Sequence, residues 1–124
     1  MKGLDGMGGM MFPKQKPKKK KMKHPASIMH NKEDRTCYLC MIQEKNYNRY
    51  NYLEEHHIFG GPNRKKSEEY GLKVYLCLRH HREGKHAVHN NHENMRLLQR
   101  EGQQAFQVVY PDLDFGQVFK TNYL

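Results

Sequence analysis

Two short ligand spacings restrict this chain more than any other feature: Cys37-Tyr38-Leu39-Cys40 and, further along, Cys77-Leu78-Arg79-His80. Each sets two donors two residues apart, so that one tight knuckle aims both at a single ion. Three thiolates and one imidazole suit tetrahedral zinc, a borderline-soft cation, and four protein ligands close its shell, as in structural sites. A lone Cys-x-x-Cys also fits a redox motif or two buried thiols. The second pair, at the end of a predicted strand, favours zinc. Three cysteines, an odd number, argue against a disulfide framework and for a reducing compartment.

The rest of the chain explains why such a staple is needed. Of 124 residues, 36% are hydrophobic and none is Trp. A body of roughly 90 residues buries only about two-thirds of its unfolded surface, and a bound metal is a common supplement at that size. Residues 1–24, rich in Gly, Met, Pro and Lys, lack hydrophobic periodicity and are expected to be a disordered tail, with the domain spanning 25–124.

Within that domain Tyr52 to Phe59 is predicted as a strand, broken by Gly60-Gly61-Pro62. A short helix is expected over Asn63 to Tyr70, ended by Gly71, then a second strand from Lys73 to Cys77. Asn90 and Glu93 resemble a capping box opening a helix whose stripe is Met95, Leu98, Gly102, Ala105 and Phe106; it is expected to pack on the body and carry no chemistry. Leu113, Val118, Phe119 and Leu124 are expected to form a short closing helix and anchor. The predicted fold class is α+β, a small treble-clef-like, zinc-stabilised ββα domain with C-terminal helices.

A second histidine set is not needed to complete such a staple. It comprises His56 and His57 in Glu55-His56-His57-Ile58, His81 directly after His80, and His86 and His89 downstream. Phosphodiester hydrolysis needs an activated water and a cation whose ligands leave positions open. Neighbouring residues of a strand face opposite ways, so one of His56 and His57 can bind metal while the other faces the water. An unperturbed pKa near 6.5 leaves histidine partly neutral at physiological pH and able to act as a base. The competing interpretation is that these histidines support the zinc knuckle or sit on the surface. His24, His30 and His92 lie outside any motif and are expected to be solvated.

The order Cys-x-x-Cys, His-His-Ile, Leu-Cys-x-x-His-His and a further His resembles the HNH endonucleases, whose ββα-metal motif encloses one divalent ion. The string from Glu55 to Asn91, with the closing Asn122-Tyr123-Leu124, is similar to small phage proteins related to the recombination enhancement, recombinase-dependent nuclease (Ref) group. This resemblance implies His57 as general base and His56, His81 and His89 as ligands of a catalytic Mg, Mn or Zn ion, with His86 the alternative to His89. It also implies a recombinase filament as a partner. The family's middle Asn falls at Gly71 or Leu72 here, and Asn63 comes too early to replace it.

The net charge of +9 makes nucleic acid the natural partner, since each phosphate neutralised releases counterions. Eight lysines lie within residues 1–25 beside a single acid, Asp5. A lysine run can also serve only to solubilise. Arg64, Lys65 and Lys66 are candidates for phosphate contact beside the site, with solvated helix charges as the alternative. No apolar run has the length of a signal peptide core or a membrane span, which places the expected site of action in a host or bacterial cytoplasm. The function expected is a metal-dependent DNA endonuclease acting on single- or double-stranded DNA; the alternative is a non-catalytic zinc-containing nucleic-acid-binding adaptor.

Overall fold

The computed structural model describes residues 24–124; the expectation of a disordered lysine-rich tail falls almost entirely outside them. The elements run α1 (Tyr38–Glu44), β1 (Glu54–His57), α2 (Arg64–Glu69), β2 (Lys73–Leu76), α3 (Leu78–His81), α4 (His92–Val109) and α5 (Phe115–Phe119). This is an α+β domain in which an antiparallel two-stranded sheet is followed by a short helix and then a long one. β1 pairs with β2 in the register Glu54 to Leu76, Glu55 to Tyr75, His56 to Val74 and His57 to Lys73.

Two strands cannot hide both edges and both faces by themselves, so other segments do it. All four residues of β2 are buried. Its outer edge is covered by the segment before α1: Ser27 Oγ donates to the Lys73 carbonyl, Ile28 N–H to the Gly71 carbonyl, and Tyr75 N–H to His30 Nδ1 at 3.1 Å. Since Tyr75 N–H is a donor, His30 Nδ1 must be the acceptor and Nε2 carries the proton, which it donates to Thr36 Oγ1 at 3.2 Å. His30, expected to be solvated, is therefore a buried edge cap. Gly71 sits at φ +72°, where a Cβ would lie 2.6 Å from the Ala26 carbonyl oxygen, so this turn between α2 and β2 requires glycine. Buried Ser67 pins the same turn, donating to the Leu72 carbonyl and accepting from Phe59 N–H.

The apolar core lies between the sheet, α1 and the C-terminal helices. Leu39, Leu72, Val74, Leu76 and Leu98 are fully buried, and Phe59, Phe106, Phe115 and Phe119 form an aromatic cluster closed by Tyr70 and Tyr123. Each such Phe contributes about 1.5–3 kcal/mol through burial. Of the expected closing anchor, Phe119 is buried but Leu113 and Leu124 are exposed; Phe115 takes the inner position instead. Asp114 caps α5 by accepting from Gly116 N–H and Gln117 N–H. α4 starts one residue later than the expected cap: Asn91 accepts from Asn94 N–H at 3.0 Å, whereas Asn90 donates to the Arg82 and Gly84 carbonyls. Leu98, Gly102 and Phe106 form its buried stripe as expected, joined by the polar Asn94 and Gln103. Gly102 permits close contact, because a Cβ there would meet Ile58 Cγ2 at 2.8 Å. Among the described residues no helix is long and apolar enough to cross a membrane.

Candidate metal centres

α3 is a single turn carrying His80 and His81, whose side chains diverge by about 100° because successive residues of a helix do. One histidine enters the interior and the other faces a cleft, so the two centres share this turn.

The interior centre gathers Cys37, Cys40, Cys77 and His80, all buried. Cys37 is the N-cap of α1, accepting from Cys40 N–H, which folds the first knuckle; the Cys77 carbonyl accepts from His80 and His81 N–H, which folds the second. His80 Nδ1 lies 3.5, 3.4 and 3.5 Å from the sulfurs of Cys37, Cys40 and Cys77, and the Cys40 and Cys77 sulfurs are 3.9 Å apart. A tetrahedron with Zn–S of 2.3 Å and Zn–N of 2.0–2.1 Å has N···S edges of about 3.5 Å and S···S edges of about 3.8 Å. The donor spacing therefore suits zinc, and the buried Cys3His group is of the closed, structural kind.

Its surroundings suit thiolates too. Tyr50 Oη lies 3.2 Å and Arg79 Nη2 3.7 Å from Cys40 Sγ, while Arg79 also grips Glu44 with both nitrogens at 2.8 and 2.9 Å. Glu44 Oε2 lies 3.3 Å from His80 Nε2. Burial pushes the Cys37 thiol up to about 12 and raises that of Cys40, so a cation is what would make these sulfurs thiolates.

The second centre lies across β1. Alternation splits the strand: Glu54 and His56 face α3, whereas Glu55 and His57 face α2 and Lys73. Beyond α3, Gly84 at φ +95° turns the chain back, buried Ala87 and Val88 anchor it, and Val88 and His89 N–H donate to the His80 and His81 carbonyls. This return brings His89 onto His81, with Nε2···Nε2 of 3.1 Å. His56, His81 and His89 form one potential ion-holding group. His86 is not part of it; that side chain is exposed and its carbonyl accepts from Asn94.

The orientation of the three rings favours an ion. His81 Nδ1 donates to Glu54 Oε1 at 2.7 Å, so in the neutral ring Nε2 is a lone pair pointing at His89. Glu54 is itself fixed by Arg82 at 2.8 and 2.9 Å and by Tyr52 Oη at 2.7 Å, and these bonds hold its carboxyl far below the usual range. His56 Nε2 is buried and has no hydrogen-bond partner, a costly state for an imidazole nitrogen unless something else binds it. Burial, then the neighbouring His81, His89 and His57, depress the pKa of His56 to about 3, which keeps the ring in the neutral form that a metal requires. Two ligands 3.1 Å apart at 2.0–2.1 Å from one ion would subtend about 95–102°, and the exposure of His89 leaves one side open to solvent.

His56, His57, His81 and His89 all line one cleft of about 410 Å³, with Glu55, Arg64, Met95 and Gln99 among its other walls. Met95 and Gln99 bring α4 to one wall of the cleft. Arg64 is exposed on its wall and Lys65 is exposed in an adjoining hollow that His57 and Glu68 also line, whereas Lys66 is half-buried, its ammonium donating to the Val118 carbonyl at 2.6 Å. Lys66 thus ties α2 to α5. Asn63 does the same, its amide donating to the Phe119 carbonyl at 3.2 Å.

His57 is held from the other side: its Nε2 lies 2.7 Å from Glu68 Oε1 and 3.8 Å from Glu55 Oε1. Burial alone would push the Glu68 carboxyl up, but bonds from His57, Lys73 and His24 outweigh it and hold the pKa at about 2. Glu55, His57 and Glu68 also meet the spacing of a metal site. The Lys73 ammonium already serves them as the cation, at 3.6 Å from Glu55 and 3.0 Å from Glu68. Sequence reasoning missed Glu54, Glu68 and Lys73; the only signal was two acids immediately before the paired histidines.

No family model matches the chain, and neither a curated protein nor a solved structure matches it. The residues themselves form a small α+β domain with a buried Cys3His group and, one residue away along α3, an imidazole cluster open to a cleft.

Proposed function

We propose that the chain is a divalent-metal-dependent endonuclease of the HNH (ββα-metal) class that hydrolyses DNA phosphodiester bonds. One observation carries this reading: a buried, unpartnered His56 nitrogen converges with His81 and His89 in the same cleft that His57 lines. A purely structural zinc module has no use for this arrangement.

In the proposed reaction His57 takes the proton of a water that attacks phosphorus, and the bond to the leaving sugar oxygen breaks. A divalent ion held by His56, His81 and His89, when bound, supplies Lewis-acid stabilisation of charge on the phosphate and leaving oxygens. Glu54 holds His81 in the tautomer whose Nε2 can ligate, and Arg64 at the cleft rim neutralises phosphate charge. The buried Cys3His group, holding zinc, fixes α3 and therefore His81. Lysines of residues 1–25 and Lys65 supply salt-dependent affinity without sequence preference. The likeness to the Ref group makes a recombinase filament the proposed partner.

The test is incubation of plasmid and single-stranded DNA with the zinc-stapled protein and Mg, Mn or Zn. Metal-dependent cutting that His57→Ala abolishes while DNA binding persists supports the reading. Salt-sensitive binding without cutting under any metal leaves the adaptor.

A further inference from the structure

The paired contacts of Glu68 divide its carboxylate into two ends with different jobs. Oε1 accepts from His57 Nε2 at 2.7 Å, and Oε2 accepts from the buried Lys73 ammonium at 3.0 Å, with His24 Nδ1 also at 3.0 Å. Glu55, the other acid near His57 Nε2, stands off at 3.8 Å and is far more exposed. An ionised carboxylate only accepts, so the ring proton of a neutral His57 must sit on Nε2. Nδ1 is left as the lone-pair nitrogen, and it has no partner among the described residues. We propose that Glu68, clamped by Lys73, is the positioning residue that fixes the tautomer of His57 and makes Nδ1 the nitrogen that accepts the proton from water. This rests on the reading of His57 as the base, and it assigns the orientation of that ring to an acid of α2.

The clamp makes a specific prediction for the isosteric variant. In Glu68→Gln one oxygen becomes NH2. Lys73 can only donate, so it claims the remaining oxygen and turns the NH2 toward His57 Nε2. Nε2 must then accept, and the ring proton moves to Nδ1, the nitrogen needed to receive the proton of water. Removing Lys73 as well, as in Glu68→Gln with Lys73→Met, frees the amide to flip and to offer its oxygen to Nε2 again. A role confined to stability predicts no such reversal.

The experiment is nitrogen-15 NMR of the His57 ring in the zinc-loaded full chain, beside single-turnover and steady-state DNA cleavage, for wild type, E68Q and the double variant. The expected results are a proton on Nε2 in wild type and on Nδ1 in E68Q. Cleavage kcat falls about 100-fold or more in E68Q with KM little changed, and the double variant regains both the tautomer and about tenfold of the lost rate. Wild-type kcat in E68Q, a wild-type ring carrying its proton on Nδ1, or no recovery in a folded double variant overturns the proposal. If E68Q does not fold, the wild-type ring decides alone. If wild type cuts no DNA, the nuclease reading fails by itself, and the ring nitrogens still report whether the clamp sets the tautomer.

Discussion

The two candidate centres share the turn of α3 but place their donors in opposite surroundings. Around Cys37, Cys40, Cys77 and His80 every donor is buried, the spacing closes a tetrahedron, and Tyr50 and Arg79 reach Cys40 to balance its charge. Around His56, His81 and His89 burial is graded from buried to exposed, the ligand count stops at three, and the cleft has room for water and a phosphate. A closed shell suits a structural ion, and under the proposed function the open one would hold the ion that acts on phosphate. The shared turn of α3 makes the second depend on the first: losing His80 from its sulfurs would release His81 from Glu54.

That dependence should run one way, from the Cys3His group to the histidine group. Cys77→Ala, or removal of zinc by a strong chelator, is expected to unfold the domain, since a metal-free core this small retains little net stability. Circular dichroism that stays native after verified zinc removal would break the asymmetry. His56→Ala, by contrast, is expected to keep the fold and lose the second ion. Loss of cleavage beyond about 100-fold with an unchanged melting temperature is the predicted outcome.

Glu54→Gln is expected to weaken metal binding at the histidine group by about 10–100-fold without affecting the Cys3His zinc, as calorimetric titration would show. Gly102→Ala pushes a methyl to 2.8 Å from Ile58 Cγ2 and is expected to cost about 1–3 kcal/mol by denaturant unfolding. The smallest effect concerns pH. Burial lowers the pKa of His30 in the folded state, so below about 6.5 the unfolded chain binds the extra proton and folding loses stability as pH falls. Replacing His30 with Gln should flatten that slope by no more than about 1.4 kcal/mol per pH unit. An unchanged slope would remove His30 from the account.

The four interior donors are legible in the sequence because a metal imposes fixed spacings on short segments, whereas the assignment of His56, His81 and His89 comes only from the resemblance to the HNH endonucleases. Cys37, Cys40, Cys77 and His80 follow from two such spacings, and the division of His56 from His57 follows from strand alternation. The strands and α2 were placed within a few residues for similar local reasons. Residues that work through distant partners left no local signature. Glu68 reaches His57 across a turn, Lys73 is buried beside two acids that pair its charge, and His30 caps the edge of β2. Asn91 rather than Asn90 caps α4 because the return of the chain onto α3 draws the Asn90 amide to the Arg82 and Gly84 carbonyls. The closing aromatic cluster was half seen, as Phe119 without Phe115, since neither periodicity nor turn chemistry marks which aromatic faces inward over so short a helix.

Metal stoichiometry in folded protein tests the existence of two separate ion-holding centres most directly. Elemental analysis after loading with zinc and dialysis is predicted to find two ions per wild-type chain, and one ion in a still-folded His56→Ala chain. One ion in both proteins, or a His56→Ala chain that keeps two, would contradict the account.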